Sequence, residues 1–146
     1  MFLGSILPVF IATIILNYVL MPISGFIITG SNLIPFTIVS VIASLISCII
    51  GMILGIFAKN QVSAGTIMTP VLMIFIFIPI FSEIIKVLAD ISKFMFTGIL
   101  MEMTMNMAAK TDKVLNVGSV VIMLAEVVIS IFVFLFFYKK NGFEKD

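Results

Sequence analysis

The chain has 146 residues, of which 62% are hydrophobic and 10% are charged, and its formal net charge is +1. A soluble domain is about half apolar and about a quarter charged, so this sequence has too few polar groups to cover a surface in water. The small net charge supplies no basic stripe for nucleic acid. The chain contains no histidine and one cysteine, which excludes histidine chemistry and an internal disulfide within it.

The first predicted element is a membrane-spanning helix over residues 2–21. No charged side chain precedes Lys59, and about 20 apolar residues cross the hydrocarbon layer as a helix. The stretch lacks the basic start and the small-residue cleavage site of a secretory signal peptide, so we predict a retained span. An uncharged loop rich in glycine and proline follows, and a second span is predicted over residues 36–57.

A polar turn at residues 59–61 leads into a third predicted span over residues 62–81. The fourth predicted span covers residues 114–138 and is followed by a pair of lysines. The remaining residues, 141–146, form a predicted polar tail.

Residues 83–113, between the third and fourth spans, have a different pattern. Glu83, Lys86, Asp90 and Lys93 recur at intervals of three and four residues, which places them on one face of a helix. Apolar residues cover the other face, so we predict an amphipathic helix that ends at Gly98. The next apolar stretch is too short to span and predicts a re-entrant or interfacial segment. The predicted fold is therefore an all-α membrane protein with four transmembrane helices and an amphipathic, re-entrant segment before the last span.

The second span carries a row of small residues, and Gly51 and Gly55 form a GxxxG motif within it. Small side chains let two helix backbones approach closely in lipid. This motif indicates packing against another span of the same chain, with subunit dimerisation as the alternative.

Two carboxylates are candidate pathway residues. Glu126 lies near the middle of the fourth span, where a carboxylate is costly and marks a functional hypothesis. Glu102, in the re-entrant segment, is a weaker candidate of the same kind. For both, the structural alternative is a protonated or hydrogen-bonded side chain. Four methionines alternate around Glu102, but a spacing of two scatters them over different faces of a helix, so no metal site is predicted.

The chain contains no P-loop and none of the common hydrolase, zinc-protease or paired-cysteine motifs. We therefore expect no catalytic residue, no cofactor and no enzyme activity in this chain. Any active transport would take its energy from another chain or from an ion gradient.

Residues 51–61, with their Lys59-Asn60-Gln61 turn, resemble the permease of type-2 ATP-binding-cassette (ABC) exporters. The resemblance continues through residues 63–81, includes residues 91–98, and extends to the last span with its terminal lysines. It matches the four spans to the C-terminal portion of a six-span permease. The two preceding spans and the ATPase-contacting elements are outside the match, which indicates a fragment, a truncated reading frame or a short, divergent subunit.

The resemblance implies a plasma-membrane exporter in which a separate ATPase subunit hydrolyses ATP and a second permease copy or homologue completes the pathway. It implies an apolar pathway for a lipid-like, peptide or drug-like substrate, with residues 83–113 forming the outer gate. Lysine counts on the two sides of the membrane are equal. The resemblance breaks that tie and implies cytoplasmic termini.

Two other functions are open on sequence grounds. One is a small stand-alone membrane protein that acts by binding, such as an immunity or assembly factor. The other is an ion-coupled carrier that uses Glu126.

Overall fold

A computed structural model describes residues 2–26, 28, 30–111 and 113–141. Within these residues the chain forms six α-helices and one short 3-10 helix, Gly30–Asn32, and no strand. The α-helices are α1 (Phe2–Ile23), α2 (Leu33–Phe57), α3 (Gln61–Phe81), α4 (Lys86–Ser92), α5 (Phe96–Ala108) and α6 (Val117–Asn141). The predicted polar tail lies outside the described residues apart from the backbone of Asn141.

Four of these helices, α1, α2, α3 and α6, are long and apolar enough to cross a membrane, which confirms the predicted all-α fold with four candidate spans. The predicted first loop is shorter than expected, because α1 continues to Ile23 and α2 begins at Leu33. Pro35 fits inside α2 because it lies in the first turn, where its missing N–H group would have no helical partner.

The centre of the bundle is α2, which contacts α1, α3, α5 and α6 and packs most extensively against α6. The rings of Phe57 and Phe137, near the C-terminal ends of α2 and α6, have centroids 4.9 Å apart. These two helices therefore run in the same direction. The buried core is formed by ten residues of α2, α5, α6 and the segment before α6: Phe36, Val39, Ala43, Ile46, Phe96, Ile99, Met103, Met107, Val114 and Met123.

The turn between α2 and α3 ends in a capping box. The Ser63 backbone N–H donates to Oδ1 of Asn60 over 2.8 Å, and the Asn60 backbone N–H donates to Oγ of Ser63 over 3.2 Å. These bonds satisfy donors that a helix start leaves unpaired. The predicted polar turn is therefore the start signal of α3, and Gln61 belongs to the helix.

The segment between α3 and α6 is a helical hairpin made of two short helices, α4 and α5. The prediction of one helix ending at Gly98 is wrong in its boundary: α4 stops at Ser92, and α5 starts at Phe96. Gly98 lies inside α5, where a Cβ atom would come within 2.0 Å of the Ser92 carbonyl oxygen. A glycine at this position marks close contact between two helices, and the chain reverses before it, at residues 93–95.

The start of α5 lies well inside the bundle. The rings of Phe96 and Phe75 have centroids 5.3 Å apart, and Phe75 precedes the end of α3 by a length of about 9 Å. The backbone N–H of Phe96 also contacts the carboxyl group of Glu126, which follows the start of α6 by about 13 Å. From this depth α5 returns to the end of the bundle where α3 stops and α6 begins. We call this the hairpin end, and its geometry is that of a re-entrant segment.

Candidate functional site

A cavity lies at the hairpin end, bounded by α4, α5, the start of α6 and the end of α3. Its volume is about 620 Å³, which is within the usual range of about 300–1,000 Å³ for small-molecule sites. We call it the hairpin-end cavity. Its polar and charged lining residues are Ser82, Glu83, Ser92, Lys93, Glu102, Asn106, Asn116 and Ser119.

Helix α5 separates this cavity from the core of the bundle. Met101 and Met105 line the cavity, whereas Met103 and Met107 are buried in the core. The alternating methionines thus form two pairs on opposite faces, because residues four apart share a face of a helix. Glu102, the weaker of the two predicted carboxylate candidates, lies on the cavity side.

Two asparagines that line the cavity also form hydrogen bonds with the backbone around it. The Gly118 backbone N–H donates to Oδ1 of Asn116 over 3.1 Å, at the start of α6. Nδ2 of Asn106 donates to the carbonyl oxygen of Val114 over 3.4 Å. The second contact connects the end of α5 to the segment just before α6, and the first pairs a backbone donor in the first turn of α6.

The charged side chains of the cavity are unequally paired. Nζ of Lys93 lies 3.1 Å from a carboxylate oxygen of Asp90, one turn earlier. Among the described residues, this is the one ion pair, so neither Glu83 nor Glu102 has an ionic partner there. The lining therefore has two unpaired carboxylates and one lysine whose charge is balanced by a neighbour.

Glu126, the main predicted pathway candidate, has a different environment. It is half-buried in α6, does not line the hairpin-end cavity, and contacts the backbone N–H of Phe96. The N-cap residue of α5, Met95, provides no side-chain cap. Glu126 thus occupies the position of a cap supplied by another helix, where a carboxylate is favoured by the helix dipole.

Three buried side-chain oxygens have no hydrogen-bond partner among the described residues. They belong to three helices that pack on one another, and they are Oγ of Ser44, Oγ1 of Thr97 and Oε2 of Glu126. The Glu126 carboxyl group therefore has one oxygen that is not satisfied by protein.

Gly51 and Gly55 are not at a close helix contact. No atom outside the local helix backbone lies within 4 Å of a Cβ built at either residue. Gly51 instead lines a second, smaller cavity of about 160 Å³ between α2, α3 and the start of α5. The close intramolecular approach predicted from the GxxxG motif is therefore absent among the described residues, because larger side chains of α3, such as Leu72 and Met68, face this part of α2.

Sequence reasoning found Glu102, Glu83 and Lys93 but missed the serine and asparagine residues that complete the cavity. Ser92 and Asn116 carry no motif, and they reach the cavity only because α4 folds back and α6 starts nearby. The sequence feature that could have pointed to the cavity was the concentration of polar residues between the third and fourth predicted spans.

Comparisons with protein-family models, with curated proteins and with solved structures give no match for this chain. The functional argument therefore depends on the residues and geometry of the chain itself.

Proposed function

We propose that this chain is a membrane-spanning permease subunit, or part of one, of an ATP-driven ABC exporter. In this proposal it acts in the plasma membrane with a separate ATPase subunit and a second permease copy or homologue. It forms part of the pathway for a lipid-like, peptide or drug-like substrate. The resemblance of residues 51–81 to type-2 permeases is the sequence basis for this proposal.

The observation that carries the proposal is the hairpin of α4 and α5 between the last two spans. Helix α5 starts at Phe96, deep in the bundle beside Phe75 and Glu126, and has a buried face against α2. Irregular and interrupted helices at membrane depth are stable where protein or a water-filled cavity surrounds them. A gate at one end of a transport pathway is a function that suits such an element.

The direction of the helices is compatible with the proposed orientation. Helices α2 and α6 are parallel, so Lys59 after α2 lies at the same end of the bundle as Lys139 and Lys140 in the last turn of α6. The proposal assigns this end to the cytoplasm on the basis of the resemblance, because the lysine counts of the two sides are equal. It assigns the hairpin end to the opposite side.

The proposal is tested by isolating the chain with its partners. An affinity-tagged full chain is purified from its native membrane in mild detergent, and co-purifying proteins are identified. We expect an ATPase with a P-loop in a stoichiometric amount, and we expect the complex in vesicles to hydrolyse ATP. The matched control replaces the P-loop lysine of that ATPase by alanine, which should abolish hydrolysis but leave the complex intact.

A stably folded chain that brings down no ATPase would overturn the exporter proposal. That outcome would favour a stand-alone binding protein, because such a protein needs no energy-coupling partner.

A second candidate function, an ion-coupled carrier, is supported by one observation. Oε2 of Glu126 is buried in a candidate span without a hydrogen-bond partner among the described residues, and ionisable groups at such depth commonly mark proton or ion relays. In this case Glu126→Gln would abolish pH-dependent transport in vesicles. Unchanged transport by that variant would remove Glu126 from the mechanism.

A further inference from the structure

The hairpin-end cavity combines an apolar wall with a charged rim. Met101 and Met105 of α5, Ile122 of α6 and Phe94 of the hairpin turn supply apolar surface. Glu83 and Glu102 lie on the same lining. A pocket of this composition can bury the body of an organic molecule while a few polar groups select its head group.

The charges of the lining favour a cation. The lining contains two carboxylates and one lysine, Lys93. The lysine already pairs with Asp90, at 3.1 Å. An anionic head group would meet two like charges and find no unpaired cation on the lining. A cationic head group would meet two carboxylates that lack an ionic partner among the described residues, and both would attract it.

The apolar wall favours binding of an organic cation over binding of a simple metal ion. A hard metal ion needs several oxygen ligands around it and gains nothing from thioethers or an aromatic ring. A large, weakly hydrated organic cation gains from both, since aromatic faces and polarizable sulfur attract such cations and apolar bodies alike. Phe94, which is 66% exposed, is an available ring at the cavity edge.

We propose that the hairpin-end cavity is a binding site for a monovalent lipophilic organic cation. Glu83 and Glu102 select the charge, and the methionine face of α5 with Phe94 and Ile122 holds the apolar body. Binding requires only this chain, so the proposal does not depend on the exporter assignment.

The experiment uses the full chain in nanodiscs of neutral phosphatidylcholine, with radiolabelled tetraphenylphosphonium as the probe. Binding is measured by flow dialysis against empty nanodiscs, which correct for partition into lipid. We expect saturable binding at one site per chain. Tetraphenylborate, which has nearly the same shape and the opposite charge, should fail to compete for the site.

Substitutions distinguish the proposed site from general affinity for the apolar surface. We expect Glu83→Gln and Glu102→Gln each to weaken binding about fivefold, because each removes one attractive charge. The matched control is Lys59→Gln, which removes a charge at the opposite end of the bundle and should leave the affinity within about twofold.

Lys93→Gln provides a test that loss of folding cannot imitate. It removes the positive charge of the lining and should strengthen binding about threefold. Absence of saturable binding, equal competition by tetraphenylborate, or an unchanged affinity in the Glu83→Gln/Glu102→Gln double variant would each overturn the proposal.

Discussion

The hairpin end and the α2–α3 face use glycine in opposite ways. At the hairpin end, a Cβ on Gly98 would lie 2.0 Å from the carbonyl oxygen of Ser92, so the two short helices touch there. On the α2–α3 face, Gly51 and Gly55 form the recognisable packing motif, yet nothing lies within 4 Å of a Cβ at either position. A spacing motif shows where two helices could approach, whereas the path of the chain determines where they do.

The largest expected effect is a loss of stability on replacing Gly98, and it tests the contrast between the two glycine positions directly. Gly98→Ala should lower the free energy of unfolding by about 3 kcal/mol, because the added methyl group meets backbone atoms of α4 that cannot move separately. Gly51→Ala is the matched control, and it should change stability by less than about 1 kcal/mol, since the methyl group enters open space and alanine favours helix. Unfolding in mixed micelles, followed by circular dichroism, measures both. Equal losses for the two variants would contradict the contrast.

The second prediction concerns the anchor of the hairpin at Glu126. Glu126→Leu leaves the backbone N–H of Phe96 without its partner and should lower the free energy of unfolding by about 1–2 kcal/mol. Hydrogen exchange at the Phe96 amide should become faster at the same time. Glu126→Gln keeps an acceptor oxygen, so it should lose less than half as much. If leucine and glutamine behaved alike, the carboxyl group would not be anchoring α5.

The third prediction concerns the turn between α2 and α3, at the end of the bundle where α3 starts. Asn60→Ala removes the side chain that accepts the Ser63 N–H and should lower the free energy of unfolding by about 1 kcal/mol. Gln61→Ala, one residue later, is the control because Gln61 is not part of the capping box. Thermal unfolding of both variants in the same detergent measures the difference, and a silent Asn60→Ala would show that tertiary contacts alone hold α3.

The smallest effect belongs to the exposed ion pair of α4. Lys93 and Asp90 have side chains that are 66% and 76% exposed, so Asp90→Asn should change stability by less than about 0.5 kcal/mol. The effect should vanish at 1 M salt, where exposed charges are screened. A larger loss that persisted in salt would show that the pair supports the hairpin more than its exposure indicates.

The four candidate spans were predictable from the sequence because their signal is strong and local. An uninterrupted apolar run of about 20 residues has one stable solution in lipid, and the capping residues at Asn60 mark the start of α3 independently. The ends were less certain: Pro22 and Pro35 suggested loop, but both lie within helices near their ends. Proline is tolerated in the first turn of a helix, as at Pro35, and the sequence alone does not say which position a proline occupies.

The hairpin-end cavity was less predictable because it depends on contacts between distant parts of the chain. Glu102 was identified by its charge in an apolar segment. Asn116 and Ser92 were not, since they join the lining only after α4 reverses and α6 starts beside it. For the same reason, Glu126 was identified as a buried carboxylate, but its contact with Phe96 could not be foreseen from spacing.

The contact between Glu126 and Phe96 also constrains how the protein is assembled in the membrane. Helix α5 has 13 residues, fewer than the roughly 20 needed to cross the bilayer unaided, and its start relies on a carboxyl group in α6, which is synthesised later. Each long helix can enter lipid by itself because it satisfies its own backbone. The hairpin has no such independence, because α5 packs against α2, α3 and α6 and takes its position from those spans. We therefore expect the segment that is made before α6 to reach its final position after α6 has entered the membrane.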